Sequence, residues 1–180
     1  MLRVKQGDMQ AFESLVENHQ HRVVGTVARM LGNDSDAQDV AQQVFVRVWH
    51  SAVRYEPSAK FTTWLFTITR NLVFNEMRRR KRHPVSALEE EEETHHFQAA
   101  DLSGRAPDAT LLDDEMHEAI QRAIDSLPEQ QRMAIVLRRY EEMPYEDMAV
   151  ILKLTVPAVK SLLFRARTEL RTKLAQYLNA

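Results

Sequence analysis

The feature that most restricts the fold is a helical spacing of apolar residues through most of the chain. The segments Met9–Leu31 and Ala37–Ala52 both place their apolar side chains on a rhythm of about 3.6 residues. This period is typical of amphipathic α-helices, whereas strands alternate every two residues. The 180 residues include only four glycines and six prolines, which disfavours an all-β architecture. We therefore predict an all-α fold.

Helix-breaking residues divide the first half of the chain into three helices. Gly32 suits the C-terminal cap of the first helix, and Asp34 or Ser35 suits the N-cap of the second. Pro57 ends the second helix, and a third is predicted from about Thr62 to Arg82.

Charge is distributed unevenly along the chain, although the net charge is only −2. Residues 1–84 carry a net charge of +5, residues 85–126 carry −10, and residues 127–180 carry +3. Two basic blocks on either side of an acidic one suit a polyanionic partner. The run of five glutamates is either a solvated segment or a competitor of nucleic acid for the basic surfaces.

Composition also predicts the domain organisation. The stretch 84–110 contains the glutamate run, proline and glycine, and it shows little periodicity. It is predicted to be a flexible acidic linker. We therefore predict two small helical domains, formed by residues 1–83 and 111–180.

The second domain carries its own helix-start signals. Ser126 is predicted to cap a helix that has Pro128 and Glu129 in its first turn. Thr155 is predicted to cap the last helix, with Pro157 in the first turn, where its missing N–H costs nothing.

Two helices near the C-terminus, about Tyr145–Leu152 and Val156–Leu174, are separated only by the letters KLT. This spacing is typical of a helix-turn-helix. One arc of the second helix is apolar and is predicted to face the core: Val159, Leu162, Leu163, Ala166, Leu170 and Leu174. Phe164 lies on the basic side with Lys160, so it either contacts DNA bases or packs on a neighbouring helix or linker.

The predicted third helix ends in the basic run 78–82 and mixes aromatic, threonine and amide side chains. This mixture is found in amphipathic helices with a basic end, and also in sites that stack unpaired bases and hold phosphates. The residues alone leave both interpretations open.

Several classes of function are disfavoured by what the sequence lacks. The chain has no cysteine, which excludes disulfides and cysteine-based metal sites. The pairs His19/His21 and His95/His96 have no carboxylates at ligand spacing, so we expect no metal or other cofactor and no enzymatic activity. No apolar run is long enough to span a membrane, and the first residues do not resemble a signal peptide. We expect a cytoplasmic protein without membrane insertion.

The segments GDMQAFESLVENHQHRVVGTVARMLGNDSDAQDVAQQVFVRVW, FTTWLFTITRNLVFNEMRRRKR and LPEQQRMAIVLRRYEEMPYEDMAVILKLTVPAVKSLLFRAR together resemble bacterial RNA polymerase sigma factors of the extracytoplasmic-function group. The first two resemble sigma region 2, and the third resembles the helix-turn-helix of sigma region 4. The resemblance implies a protein that binds core RNA polymerase and directs promoter-specific initiation. The alternatives are a stand-alone helix-turn-helix regulator and a helical adaptor that does not bind nucleic acid.

The resemblance also implies which residues bind which partner. Four residues would dock on the β′ clamp helices of core polymerase: Asp39, Gln42, Gln43 and Arg47. The loop 55–63 and the helix after it would read the melted −10 element through Phe61, Thr62, Thr63, Asn71, Asn75 and Arg78. The recognition helix would read the duplex −35 element through Lys160, Ser161, Phe164 and Arg165, with Arg167 on phosphate. The helix-turn-helix would rest on the β flap, and an anti-sigma factor is expected as a further partner.

The chain departs from the family pattern at three positions. Gln43 stands where an acidic residue is frequent, Lys153 where a turn glycine is usual, and Leu162 where a basic residue is usual. These differences imply an altered clamp contact, an altered turn and one fewer phosphate contact, respectively.

Overall fold

The computed structural model describes residues 1–82, 116 and 119–178. The linker predicted at 84–110 lies outside these residues. Within them the chain is helical and has no strand, which confirms the all-α prediction.

The first part of the chain forms α1 (Leu2–Lys5), α2 (Met9–Leu31), α3 (Asp34–Ser51), a short 3₁₀ turn (Ala52–Arg54) and α4 (Phe61–Arg82). The second part forms a helical segment at 119–125 (α5), α6 (Glu129–Arg139), α7 (Tyr145–Leu152), α8 (Val156–Lys173) and the short α9 (Ala175–Leu178). The helices therefore follow the periodic segments of the sequence closely.

Two predicted caps are present. Gly32 adopts a left-handed backbone with φ 72°, and its amide donates to the Ala28 carbonyl at 2.8 Å, which closes the end of α2. The Thr155 hydroxyl accepts a hydrogen bond from the Ala158 amide at the start of α8.

Two other predicted caps are wrong. Asn33, not Asp34 or Ser35, caps α3: its backbone is extended, and its side-chain oxygen accepts from the amide of Ser35 at 2.9 Å. Ser126 caps nothing, because its hydroxyl donates back to the Ala123 carbonyl at the end of α5. Pro128 occupies the N-cap position of α6 and offers no side-chain acceptor.

The first domain buries one face of each long helix. The apolar stripe of α3, which Ala52 continues into the 3₁₀ turn, is buried along its whole length, as its spacing predicts: Ala37, Val40, Ala41, Val44, Phe45, Val48 and Ala52. Phe66 of α4 and Met30 of α2 are the largest of the fully buried side chains in this domain. Each such side chain contributes about 1.5–3 kcal/mol of transfer free energy, so this packing fixes the orientation of α3 and α4.

The second domain packs α8 against α6 and α7 through Val159, Leu163 and Ala166, all buried. The other three predicted core residues of α8, Leu162, Leu170 and Leu174, are only half-buried. Lys153 ends α7 with a left-handed backbone, φ 57° and ψ 46°. The turn therefore has the conformation that a glycine would adopt, although a lysine occupies it.

The two domains also pack on each other. Helix α4 lies against α7, and α2 lies against α6, so the buried side chains of both domains form one continuous cluster. The sequence did not predict this contact.

Candidate nucleic-acid interface

Helix α8 presents the predicted −35 residues to solvent. Burial of Val159 and Leu163 fixes which side of the helix faces the core, and the residues predicted to read DNA are exposed: Lys160, Ser161, Phe164, Arg165 and Arg167. Phe164 is 72% exposed, so it is not packed into the core of the second domain. An exposed aromatic among cations is able to contact a thymine methyl while the cations contact phosphate or guanine.

On α4, arginines orient the amide side chains. Arg70 donates to the Asn71 side-chain oxygen at 3.0 Å, and Arg78 donates to that of Asn75 at 2.5 Å. The guanidinium of Arg70 lies 4.5 Å from the centre of the Phe74 ring. Because the amide oxygens accept from arginine, the amide N–H groups of the exposed Asn71 and Asn75 are available as donors.

The same face of α4 is strongly electropositive. Burial of the Arg70 guanidinium lowers its pKa, and the nearby positive charge of Arg78 lowers it further. An arginine titrates so far above neutrality that it stays charged despite such a shift. Two cations beside two amides suit phosphates and base edges together.

The start of α4 is an aromatic cluster. Phe61 is half-buried and contacts the rings of Tyr55, Trp64 and His19, with centroids 5.2–6.4 Å apart. Thr62 is partly exposed, whereas the Thr63 side chain is buried, with 1% exposure. Of the predicted −10 residues in this segment, Phe61 and Thr62 therefore reach the surface and Thr63 does not.

A groove runs along α3 beside the predicted polymerase-binding residues. Gln42, Gln43 and Arg47 line a cavity of about 280 Å³ together with Val46, His50 and Leu72. Asp39 is exposed one turn before Gln43.

Val46 is 51% exposed, although it is apolar, and it was not among the residues predicted to bind polymerase. The sequence pattern did indicate this exposure, because Val46 lies off the buried stripe of α3.

A second cavity, of about 550 Å³, lies between the domains. It is lined from α4 by Arg70, Asn71, Phe74, Asn75 and Arg78, and from the second domain by Glu129, Gln130 and Lys153. The predicted −10 surface of α4 therefore faces the second domain across this cleft.

His19 packs edge-on against Phe61, and its pKa is lowered by burial and by the charge of Arg22. No group of three or more metal-ligating side chains occurs among the described residues, and none of the described helices is long and apolar enough to cross a membrane. His95 and His96 lie outside the described residues.

Two family models match this chain, one in each domain. The family model for sigma-70 region 2 matches residues 15–83, and that for sigma-70 region 4 matches residues 117–170. The RNA polymerase sigma-H factor of Pseudomonas aeruginosa is 34% identical over 167 residues, covering 92% of this chain and 86% of that protein. The ECF RNA polymerase sigma-E factor of Escherichia coli K12 is 33% identical over 175 residues, covering 95% and 90%.

Solved structures share the fold. The sigma factor RpoE, solved in complex with the anti-sigma factor NepR from Bartonella quintana, aligns with a TM-score of 0.71 at 22% identity and covers 92% of this chain and 98% of that chain. CnrH, solved in complex with the cytosolic domain of CnrY, aligns with a TM-score of 0.67 at 24% identity and covers 97% and 94%.

Proposed function

The chain belongs to the family of bacterial RNA polymerase sigma factors, and from that premise we propose which of its surfaces bind polymerase and promoter. As a sigma factor it directs promoter-specific transcription initiation. This confirms the resemblance and favours it over a stand-alone helix-turn-helix regulator. We retain the domain limits 1–83 and 111–180 as a proposal.

Core polymerase binds the outer face of α3 in this proposal, through its β′ clamp helices. Asp39, Gln42, Gln43 and Arg47 supply the polar contacts, and the exposed Val46 supplies an apolar one. An apolar side chain within a ring of polar ones is the usual composition of a protein–protein contact. The β flap binds the helix-turn-helix.

The melted −10 element binds along α4. Asn71, Asn75 and Arg78 contact base edges and phosphates, and Phe61 with Thr62 extends the site at the start of the helix. The support is the oriented pair of amides between arginines. Thr63 contributes packing in this conformation, because its side chain is buried.

The duplex −35 element binds α8 in the major groove. Phe164 contacts a base, Lys160, Ser161 and Arg165 contact bases or phosphates, and Arg167 contacts phosphate. The observation that carries this assignment is the 72% exposure of Phe164 on the second helix of a helix-turn-helix. Half-buried Leu162 leaves one fewer basic contact than the family pattern has.

The proposed mechanism involves no covalent step. Capture of unpaired −10 bases by α4 offsets the free energy of duplex opening, since stacking and pairing to protein replace part of what the duplex loses. Polymerase holds both domains on one promoter, so the second contact is favoured by a high effective concentration.

We also propose an anti-sigma factor as a partner. The two solved relatives are sigma factors in complexes: RpoE with the anti-sigma factor NepR, and CnrH with the cytosolic domain of CnrY. Pull-down of tagged chain from its native lysate, followed by mass spectrometry, tests this proposal. Recovery of polymerase subunits alone would contradict it.

The deciding experiment is in vitro transcription with purified bacterial core polymerase and a pool of promoter fragments. The wild-type chain is expected to produce transcripts from specific start sites, and a Lys160→Ala/Arg165→Ala variant is expected to lose those that depend on a −35 element. Lys173→Ala, at the far end of α8, is the control and should retain them. Start sites no different from those of core polymerase alone would refute the proposed function.

A further inference from the structure

The chain begins with the short helix α1 (Leu2–Lys5), which lies before the residues matched by the family model for sigma-70 region 2. Val4 of this helix is 2% exposed and belongs to the buried cluster of the first domain. Gly7 has a left-handed backbone with φ 86°, which glycine adopts without strain and which allows the turn between α1 and α2. Helix α1 packs on α2 and on the 3₁₀ turn Ala52–Arg54.

Asp8 joins α1 to the start of α2. Its carboxylate accepts hydrogen bonds from the Ala11 amide and from Arg3 Nε, both at 2.9 Å. The bond from Ala11 lowers the pKa of Asp8, and the bond from Arg3 lowers it further, so the carboxylate is charged at neutral pH. The buried Val4 and these bonds together fix where α1 lies on the first domain.

Lys5, the last residue of α1, contacts the loop 55–60, which joins the 3₁₀ turn to α4 and belongs to the segment expected to read the −10 element. Its ammonium donates a hydrogen bond to the Tyr55 carbonyl at 2.9 Å. Tyr55 is buried, whereas residues 56–60 are all exposed. The carbonyl lies in the planar peptide that joins Tyr55 to Glu56, so the bond restricts rotation of the first peptide of the loop.

The amide and the ring of Tyr55 have partners as well. The amide donates to the Ala52 carbonyl at 3.0 Å. The ring packs edge-on against the rings of Trp64 and Phe61, with centroids 5.1 and 6.4 Å away. Phe61 is one of the residues proposed to bind the −10 element. A displacement of the Tyr55 backbone would therefore reach Phe61 through direct ring contact.

We propose that Lys5 is a positioning residue for recognition of the −10 element. Its ammonium fixes the first peptide of the loop 55–60, so the loop and Phe61 are ordered before an unpaired strand binds. This order matters because each group that must be ordered on binding lowers the affinity. Lys5 itself does not contact DNA, since its charge is engaged by the Tyr55 carbonyl. The proposal rests on the proposed assignment of the −10 element to this loop and α4.

The hydrogen bond itself is measured by the carbon-13 resonances of the tyrosine carbonyls. The chain has four tyrosines, and Tyr55→Phe identifies the resonance of Tyr55. Lys5→Met removes the donor but keeps an unbranched side chain, and it should move this resonance. Arg3→Met is the matched control, because it removes one charge from the same helix and no bond to the loop. The resonance should stay in place in Arg3→Met, and an unmoved resonance in Lys5→Met would overturn the proposal.

The effect on recognition is measured by the lifetime of open complexes with core polymerase, on a promoter fragment that the wild-type chain uses. Lys5→Met should shorten this lifetime about three- to tenfold, because one hydrogen bond from a charged donor is lost. Lys5→Arg keeps a charged donor and should recover most of the lifetime, and Arg3→Met should match wild type. Binding of a −35 duplex should not change in any of these variants. An unchanged lifetime in Lys5→Met, or an equal weakening of its −35 binding, would overturn the proposal.

Salt dependence separates positioning from direct contact with DNA. A lysine bound to phosphate displaces a counterion, so its removal reduces the slope of log affinity against log salt concentration by about 0.7 for a single strand. The probe is a fluorescent single strand that carries the −10 segment of the same promoter, bound by the complex with core polymerase. Lys5→Met should weaken this binding while the slope stays at the wild-type value. A slope reduced by that amount would mean that Lys5 contacts phosphate and would overturn the positioning role.

Transcription with core polymerase separates this proposal from the proposed function. Lys5→Met should keep the start sites of the wild-type chain, because the residues proposed to contact DNA are all present. If the wild-type chain itself gave no promoter-specific initiation, the proposed function would fail, while the carbonyl resonance would still decide whether Lys5 holds the loop.

Discussion

The two helices proposed to bind DNA present their polar side chains in different ways. On α4, the side-chain oxygens of Asn71 and Asn75 accept hydrogen bonds from neighbouring arginines. On α8, no hydrogen bond or ion pair among the described residues holds Arg165 or Arg167. Helix α4 is therefore a pre-formed surface, whereas α8 carries long side chains that are free to adjust.

This difference matches the two forms of DNA that the helices are proposed to bind. An unpaired strand is flexible and loses much freedom when it binds, so a rigid site limits the total entropy lost. A duplex is stiff, and its groove already fixes the positions of bases and phosphates, so long basic side chains only have to reach them.

The largest expected effect is on the free energy of unfolding, through a core residue that packs α8 against the second domain. Leu163→Ala removes a side chain that is 2% exposed and should lower the free energy of unfolding by about 2–4 kcal/mol. Leu162→Ala, at the half-buried neighbouring position, is the control and should have a clearly smaller effect. Urea denaturation followed by circular dichroism measures both. Equal losses would mean that Leu162 contributes as much to the core as Leu163.

The next test removes the pre-formed surface of α4. Asn71→Ala/Asn75→Ala should weaken open-complex formation by about 1–3 kcal/mol, because two hydrogen bonds of about 0.5–1.5 kcal/mol each are lost. The lifetime and yield of open complexes on a promoter with core polymerase measure this. Duplex −35 binding should not change. An equal loss of −35 binding would refute the assignment of the −10 element to α4 and of the −35 element to α8.

Phe164→Ala tests the adaptable surface of α8. Loss of one apolar contact to a base should weaken duplex −35 binding by about 1 kcal/mol. The free energy of unfolding should stay within about 0.5 kcal/mol of wild type, because the side chain is exposed. Gel-shift titration with −35 duplex and urea denaturation measure the two quantities. A loss of stability as large as the loss of binding would mean that Phe164 is structural.

A substitution in the turn before α8 should have a smaller effect on the free energy of unfolding, and it should stabilise the protein. Lys153 has φ 57°, a conformation that is about 1–2 kcal/mol unfavourable for residues with a Cβ. Lys153→Gly should therefore raise the free energy of unfolding by about 0.5–1 kcal/mol after the greater freedom of glycine in the unfolded chain is included. Lys153→Ala keeps the unfavourable conformation and should not stabilise the protein. Thermal unfolding measures both variants.

The smallest expected effect is on the pH dependence of stability. It arises at the start of α4, where His19 contacts Phe61. Burial lowers the pKa of His19 in the folded protein, so the unfolded chain binds the proton more readily. This contribution to stability is complete above the unfolded pKa of about 6.5 and is lost as the pH falls through the folded pKa. Urea denaturation at pH 7.5 and 5.5 should show a smaller decrease for His19→Gln than for wild type, whereas His21→Gln, at an exposed position, should behave as wild type.

The sequence predicted the features that depend on local spacing. The long helices, the buried stripe of α3 and the cap at Gly32 all follow from periodicity or backbone preference. Periodicity placed Phe164 on the basic side of its helix but left open whether it packs on a neighbouring element. The cap of α3 was wrong by one or two residues because Asn33, Asp34 and Ser35 are all good capping residues. Only the backbone geometry selects among them.

Features that depend on contacts distant in the chain were not predictable. Glu141 lies in the polar segment RRYEEMP and looks like any solvated charge, yet it is buried against Arg22 and Thr26. No periodic signal marks a single carboxylate that meets another domain. Thr63 was assigned to the −10 surface by resemblance to the family, yet its side chain is buried, with 1% exposure.

Three ion pairs join the domains among the described residues: Arg22 with Glu141, Lys60 with Asp147 and Lys81 with Glu129. In each pair the first domain provides the cation, and this polarity has a consequence during synthesis. All three cations are translated before their anions, and Glu141 follows Lys81 by about 60 residues, which takes about 3–12 s at about 5–20 residues per second. During that interval the first domain leaves the ribosome with its cationic surface uncovered. Each newly made molecule therefore passes once through a state in which these three cations lack their partners, before its second domain exists.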